Sequence, residues 1–146
     1  MKVEFNNLYT HFVFTTNHRE PIIIDLHRQR IEKYITGIVN NNSCQLYAIY
    51  ANPEHMHFLV SRSPNIDEEK LATIVASSSA NFIKENKFCK FNFQWQMSCS
   101  AFSISKSEVD KTCKYILNQP VHHKKHTFIE EYDAFIKFNQ KSIMPK

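Results

Sequence analysis

Alternating apolar and polar positions predict three β-strands in the first half of the chain. Residues 8–16 alternate and are rich in aromatic and β-branched types, which is typical of a strand. Residues 44–51 and 55–62 form two more such runs, and the Asn-Pro-Glu sequence at 52–54 predicts a turn between them. Two strands joined by so short a turn indicate an antiparallel hairpin.

Apolar positions three or four residues apart predict four helices. These span residues 26–39 and 66–86, a stretch that starts at Ser105 or Ser107 and runs through Gln119, and residues 128 to about 138. We expect Asp25 and Thr127 to cap the first and last helices, and Pro120 to end the third. Residues 91–104 predict short strands around a turn, and residues 139–146 a flexible tail.

The element order β-α-β-β-α-β-α-α predicts an α+β fold. A central antiparallel β-sheet would carry helices mainly on one face. A length of 146 residues favours one domain over residues 1–146. Because Gly37 is the single glycine, we expect asparagines such as those at residues 40–42 to take the left-handed turn conformations.

Composition limits which binding partners and which cellular compartment we expect for the protein. A net charge of +4 suggests affinity for polyanions. The four cysteines have no Cys-x-x-Cys spacing, which argues against a zinc knuckle or a secreted disulfide framework. The polar first seven residues do not resemble a signal peptide, and no apolar run reaches transmembrane length. These features predict a cytoplasmic protein without a membrane partner.

The sequence His55-Met56-His57 begins the third predicted strand. Residues i and i+2 point to the same face of a strand, so the two imidazoles would lie side by side. Such a pair can bind one divalent metal ion. Alone, however, this spacing more often reflects ordinary packing than a metal site.

Tyr115 and Gln119 are four residues apart on the third predicted helix. They would be neighbours on one helical face. A phenol is a poor nucleophile near neutral pH, since its ordinary pKa is about 10, but a nearby metal ion can stabilise the phenolate. The Gln119 side-chain carbonyl could complete a site begun by the histidines. In isolation, a core-edge tyrosine and a surface glutamine are the better interpretation.

Taken together and in order, these motifs resemble a known family. The chain resembles the single-tyrosine HUH transposases of the insertion-sequence 200/605 type, in which HUH means His, bulky hydrophobic, His. The resemblance spans nearly the whole chain. It is carried by residues 9–16, 18–21, 53–60, 77–79, 93–96, 101–105, 115–119, 122–125 and 128–132.

The resemblance implies a mechanism. His55, His57 and Gln119 would be the metal ligands, with Mg²⁺ or Mn²⁺ as the ion. Tyr115 would be the nucleophile that cleaves single-stranded DNA and stays joined to the 5′ side as a phosphotyrosine, so that a second 3′-hydroxyl can complete strand transfer. The implied fold is the ferredoxin-like (RRM-like) fold of IS200-like transposases.

The resemblance also implies partners. The DNA would be single-stranded with hairpin ends, and the protein would act as a homodimer in which the tyrosine helix of one subunit can complete the site of the other. Lysines can follow DNA phosphates. The candidate DNA-binding residues are Arg19, Lys84, Lys87, Lys90, Lys124 and Lys125. Trp95, Phe102 and His11 are better interpreted as core residues.

Two alternatives stay open. The family has Gly-Tyr-Gly where this chain has residues 97–100, and often a lysine where it has Ala76. These departures keep a catalytically idle DNA-binding protein of the same fold in consideration. A hydrolase with a His-bound metal is a third hypothesis, which lacks an evident acidic base beside the histidines, although Glu54 is adjacent.

Overall fold

The fold is an antiparallel sheet with helices on both faces. This computed structural model describes residues 1–90, 92–122 and 127–143. Its strands are β1 (Tyr9–Thr15), β2 (Gln45–Ala51), β3 (His55–Ser61) and β4 (Ser100–Ile104). Its helices are α1 (Asp25–Asn41), α2 (Glu68–Glu85), α3 (Val109–Leu117), α4 (Gln119–His122) and α5 (Phe128–Ile143).

The four strands lie in the order β2-β3-β1-β4, and every neighbouring pair is antiparallel. With α1 between β1 and β2, and α2 between β3 and β4, this is the βαββαβ arrangement of ferredoxin-like folds. The α+β class and the central antiparallel sheet predicted from sequence are therefore confirmed.

Strand β3 divides its side chains between two environments. Met56, Phe58 and Val60 point into the core beneath α1 and α2. The alternate residue Leu59 belongs to a second cluster on the opposite face, packed with Val109 and Ile116 around α3. Since side chains alternate along a strand, His55 and His57 share the α3 face with Leu59.

Aromatic packing fills the core on the α1 and α2 face. Phe58 is fully buried and stacks on Phe12 with ring centroids 4.9 Å apart, while Phe14 meets it edge-on at 5.1 Å. Trp95 is buried at the side of this core and donates its indole N–H to the Ser79 hydroxyl at 2.9 Å. The expectation that Trp95 is a core residue is confirmed.

Three predicted element boundaries are wrong. The third helix ends at Leu117, and Gln119 begins the separate short helix α4, which contains Pro120. Proline is tolerated there because the first turn of a helix does not use its N–H groups. Helix α5 continues to Ile143, beyond the predicted end near residue 138, so residues 139–143 are helical and not part of the predicted flexible tail. In the described part of residues 91–104, β4 is the one strand, and Trp95 makes only an isolated bridge to Thr16.

The local capping and turn chemistry also differs in part from prediction. Asp25 lies inside α1 and accepts a hydrogen bond from Arg28 instead of capping the helix. The left-handed conformation after α1 is taken by Ser43, with φ of 60°, and not by an asparagine. Thr127 caps α5 as predicted, since its hydroxyl accepts from the Glu130 amide at 3.2 Å.

Within the described ranges, no helix combines the length and the apolarity needed to cross a membrane.

We predict that Phe58→Ala lowers the free energy of unfolding by about 3–5 kcal/mol, because it leaves a cavity between two aromatic rings. Urea denaturation followed by circular dichroism measures this change. Met97→Ala is the control, since Met97 is fully exposed and its removal should change stability by less than about 0.5 kcal/mol. Equal stability of the two variants would contradict the core described here.

Candidate active site

The two histidines of β3 lie buried on the α3 face of the sheet. His55 is fully buried and His57 is 3 % exposed. Their ring centroids are 5.0 Å apart, as the strand geometry predicts for residues i and i+2. The sequence expectation of two adjacent imidazoles is thus borne out by the geometry.

The neighbours of His55 leave one of its ring nitrogens suited to a metal. Its Nδ1 lies 2.8 Å from the Glu54 carboxylate, to which it donates, and its Nε2 then accepts from the Asn52 side-chain amide at 3.2 Å. A carboxylate that orients a histidine in this way is the usual support of a metal-binding imidazole.

Asn52 links His55 to Gln119. The same Asn52 amide nitrogen donates to the Gln119 carbonyl oxygen at 3.1 Å, and both side chains are buried. The two amide hydrogens of Asn52 therefore bind one lone pair on His55 Nε2 and one on the Gln119 carbonyl oxygen. A cation could bind the same two lone pairs. Sequence reasoning brought Gln119 to this site but missed Asn52, which it interpreted only as part of the turn before β3.

His57 lies between a histidine and a carboxylate. Its Nδ1 is 2.9 Å from Nε2 of His11, and its Nε2 is 3.1 Å from Oε1 of Glu131. Burial, with the charge of nearby His57 as a smaller cause, lowers the pKa of His11 to about 3. His11 is therefore neutral near pH 7, which confirms it as a buried, hydrogen-bonded histidine of the core.

The Tyr115 hydroxyl is directed at the same carboxylate. It donates to Oε1 of Glu131 at 2.5 Å, and the Tyr115 ring stands perpendicular to the His57 ring with centroids 5.5 Å apart. Burial, together with the hydrogen bond to Glu131 and the charge of that carboxylate, raises the pKa of Tyr115 well above its ordinary value. The arrangement orients the hydroxyl and keeps it protonated.

Glu131 on α5 joins the two halves of the site. Its burial favours the neutral acid, but hydrogen bonds from His57 and Tyr115 outweigh this effect and hold the pKa of Glu131 at about 2. Sequence reasoning missed Glu131 as a site residue. The available signal was its position between Phe128 and Tyr132 on the apolar face of α5, where an acidic side chain is costly unless it is paired.

These residues fit a divalent cation. One ligand atom from each of His55, His57 and Glu131 lies within 4.8 Å of the other two. Imidazole nitrogens with a carboxylate oxygen are a donor set that suits first-row divalent metals, and the carboxylate favours Mg²⁺ and Mn²⁺. Gln119 is linked to this cluster by two hydrogen bonds, from Asn52 to Gln119 and from Asn52 to His55.

The predicted DNA-binding residues fall in different places. Arg19 lies beside the site, with its guanidinium 5.6 Å from the ring centroid of Phe128. Lys84, Lys87 and Lys90 are exposed at and beyond the C-terminal end of α2, which covers the opposite face of the sheet. Lys124 and Lys125 lie outside the described residues.

Comparison with known proteins identifies the family. The sequence model of the family described as "Transposase IS200 like" matches residues 4–119, most of the chain. The chain belongs to the IS200-like transposase family. No curated protein matches the chain.

Two solved structures share the fold. One is described as a "putative transposase" from Deinococcus radiodurans R1, with a TM-score of 0.64 and 18 % identity over 82 % of this chain and 95 % of that chain. The other is a REP-associated tyrosine transposase bound to a REP hairpin, with a TM-score of 0.62 and 16 % identity over 99 % of this chain and 87 % of that chain.

We predict that the Tyr115–Glu131 hydrogen bond contributes measurable coupling to stability. A double-mutant cycle of Tyr115→Phe and Glu131→Gln, measured by urea denaturation of metal-free protein, should give a coupling energy of about 1.5–3 kcal/mol, the range of hydrogen bonds to charged groups. The cycle of Tyr115→Phe with Asp133→Asn is the control, since Asp133 is exposed on the same helix. Equal coupling in both cycles would mean that the contact is absent in solution.

Proposed function

We propose that the protein cleaves and rejoins single-stranded DNA through a covalent 5′-phosphotyrosine at Tyr115. One observation carries this proposal: the Tyr115 hydroxyl and the metal-binding pattern of β3 meet at a single buried carboxylate, Glu131. The family supports transposition as the process that this chemistry serves.

His55, His57 and Glu131 would hold a divalent metal ion, Mg²⁺ or Mn²⁺, with Gln119 as a further ligand from the family pattern. When bound, the ion would offset the charge of Glu131, favour the phenolate and polarise the scissile phosphate. Metal binding replaces protons on its ligands, and the His57 Nε2 proton directed at Glu131 is one that would be displaced.

The proposed reaction conserves the energy of the broken bond. The Tyr115 hydroxyl loses its proton as its oxygen attacks phosphorus, the bond from phosphorus to the 3′-oxygen breaks, and the leaving 3′-oxygen takes up one proton, so no proton is gained or lost overall. The 5′ side of the strand stays attached to Tyr115, so attack by another 3′-hydroxyl reverses the step without ATP. Glu131 contributes by fixing the position of the tyrosine oxygen, which lies 2.5 Å from its Oε1.

We propose further that Tyr115 acts on the site of its own chain. Helix α3, strand β3 and helix α5 of one chain supply the tyrosine, the histidines and the linking carboxylate. A homodimer with shared sites, which the family resemblance implies, is the alternative, but the contacts within one chain already unite these groups.

Hairpin DNA is the proposed substrate. One structural neighbour is bound to a REP hairpin, and the net charge of +4 favours a polyanionic partner. We retain Lys84, Lys87 and Lys90 as proposed DNA contacts on the α2 side of the sheet. We also propose that the protein acts in the cytoplasm.

The positions of the two sequence departures favour an active enzyme over an idle one. Ala76 and residues 97–99 line the same open groove of about 620 Å³ beside α2. Phe12 and Phe14, which point away from the α3 face, also line this groove. None of residues 97–100 adopts the left-handed backbone that glycine would favour. Ala76 and residues 97–99 are therefore on the opposite face of the sheet from Tyr115, whereas the Ser100 hydroxyl is hydrogen-bonded to the Tyr132 hydroxyl on α5.

Glu131 also bears on the hydrolase hypothesis. It provides the acidic group beside the histidines that was not evident from the sequence, but its Oε1 accepts from the Tyr115 hydroxyl. Because the carboxylate orients a phenol, the site favours attack by tyrosine over attack by water.

We expect wild-type protein with Mn²⁺ and a single-stranded oligonucleotide carrying a hairpin to form a covalent adduct, seen as a slower band on a denaturing gel. Tyr115→Phe should abolish the adduct, since it removes the attacking oxygen. Tyr34→Phe is the control, because Tyr34 stacks on Phe82 at the far side of α1. Hairpin binding by wild type without any adduct would instead support the idle DNA-binding protein.

Metal affinity provides a separate test. In calorimetric titration with Mn²⁺, His57→Gln and Glu131→Gln should each bind at least about tenfold more weakly than wild type, the lower range for loss of one supporting ligand group. His27→Gln should bind as wild type, since His27 stacks on Phe88 away from the site. Gln119→Ala in the same titration shows whether that residue contributes. Unchanged affinity in both His57→Gln and Glu131→Gln would remove the proposed metal site.

A further inference from the structure

Arg19 occupies a turn with an unusual backbone beside the site. The turn spans Asn17–Arg19, and both His18 and Arg19 have positive φ angles, 59° and 55°. Residues other than glycine adopt this conformation when the surrounding structure enforces it, and such residues cluster at functional sites. Hydrogen bonds of the neighbouring residues hold His18 and Arg19 in this backbone conformation.

Hydrogen bonds from Thr16 and Asn17 anchor the turn to the strand that carries the histidines. The Thr16 hydroxyl shares its one proton between the Glu20 carbonyl at 2.7 Å and the Glu54 carbonyl at 3.1 Å. The Thr16 amide donates to the same Glu54 carbonyl at 2.9 Å, and the Asn17 amide donates to the Gln94 carbonyl. Since Glu54 directly precedes His55, the bonds to its carbonyl fix the turn beside the site.

A ring connects Arg19 to His55. The Arg19 guanidinium lies 5.6 Å from the Phe128 centroid, and Phe128 stacks on the His55 imidazole with centroids 3.9 Å apart and planes 18° apart. Arg19 is exposed, whereas Phe128 is 7 % exposed and His55 is fully buried. The stack therefore runs from solvent to the histidine, with the cation at its outer end.

No carboxylate lies within 4.0 Å of the Arg19 guanidinium among the residues that the structure describes. The nearby acids are engaged elsewhere: Glu54 pairs with His55, and Glu131 pairs with His57. An exposed guanidinium held on an aromatic ring, and not neutralised by an acid, is suited to an external anion.

We propose that Arg19 binds a backbone phosphate of the single-stranded DNA next to the phosphate that is cleaved, with Phe128 as its support. The planar guanidinium can donate two parallel hydrogen bonds to one phosphate, and its stacking on the ring reduces the freedom it loses on binding. This inference rests on the proposed function, because it takes the strand that Tyr115 cleaves as the ligand.

Arg30 provides a matched control. It is also an exposed arginine over aromatic rings, with its guanidinium 5.0 Å from the Phe88 centroid and 6.0 Å from that of Phe82. It lies on α1, on the opposite face of the sheet from the histidines. Removing either arginine deletes one charge, together with one cation–π contact for Arg19 and two for Arg30, so a larger effect at Arg19 reports position.

The test is equilibrium binding in the Tyr115→Phe background, where no covalent capture occurs. Fluorescence anisotropy of a labelled single-stranded oligonucleotide with a hairpin is measured from low to high salt. Arg19→Ala should reduce the slope of log K against log salt by about 0.7, the value for one phosphate contact to a single strand, whereas Arg30→Ala should leave it unchanged. Arg19→Lys should restore the slope, because it restores the charge.

An unchanged slope for Arg19→Ala, or an equal loss for Arg30→Ala, would overturn the inference. Circular dichroism melting of each variant establishes that it is folded. The proposed function can fail while the inference about Arg19 stands. In that case the wild-type protein forms no covalent adduct, yet the salt slope of Arg19→Ala still differs from that of the protein with Arg19. Absence of any binding to the oligonucleotide would overturn both.

Discussion

The alternation of side chains along β3 is the constraint on which the rest of the structure depends. One face of this strand anchors the aromatic core through Phe58, and the other presents His55 and His57. A shift of one residue in its pairing would exchange the two sets and place imidazoles in an apolar core. Because β3 lies between β2 and β1, both neighbours enforce its register, so the pairing that forms the sheet also positions the two histidines.

The carboxylate of Glu131 performs the corresponding function between the sheet and the helices. It accepts from His57 on β3 and from Tyr115 on α3, and it resides on α5. Three elements distant in sequence therefore meet at one acidic group. This carboxylate orients the tyrosine hydroxyl and keeps it protonated. We therefore expect the reaction to require a positive charge at the site, which favours the phenolate.

Sequence reasoning could predict what depends on local pattern. Period-two alternation places His55 and His57 together, and the order of elements predicts an α+β fold with a central antiparallel sheet. The roles of Glu131 and Asn52 depend on contacts between residues far apart in the chain, 74 and 67 positions for the Glu131–His57 and Asn52–Gln119 pairs. Helical spacing also placed Gln119 on the tyrosine helix, whereas that helix ends at Leu117 and a weak contact from Gln119 to the Tyr115 carbonyl, at 3.5 Å, keeps the two residues close.

The central claim is that one chain carries a complete strand-cleaving site. Mixing His57→Gln and Tyr115→Phe chains tests it most directly, with Mn²⁺ and a hairpin-bearing single strand as substrate and the covalent adduct as readout. The account predicts an adduct with wild type and none with the mixture, because each chain lacks part of its own site. Recovery of the adduct in the mixture would contradict it, since a tyrosine would then act at the histidines of another chain.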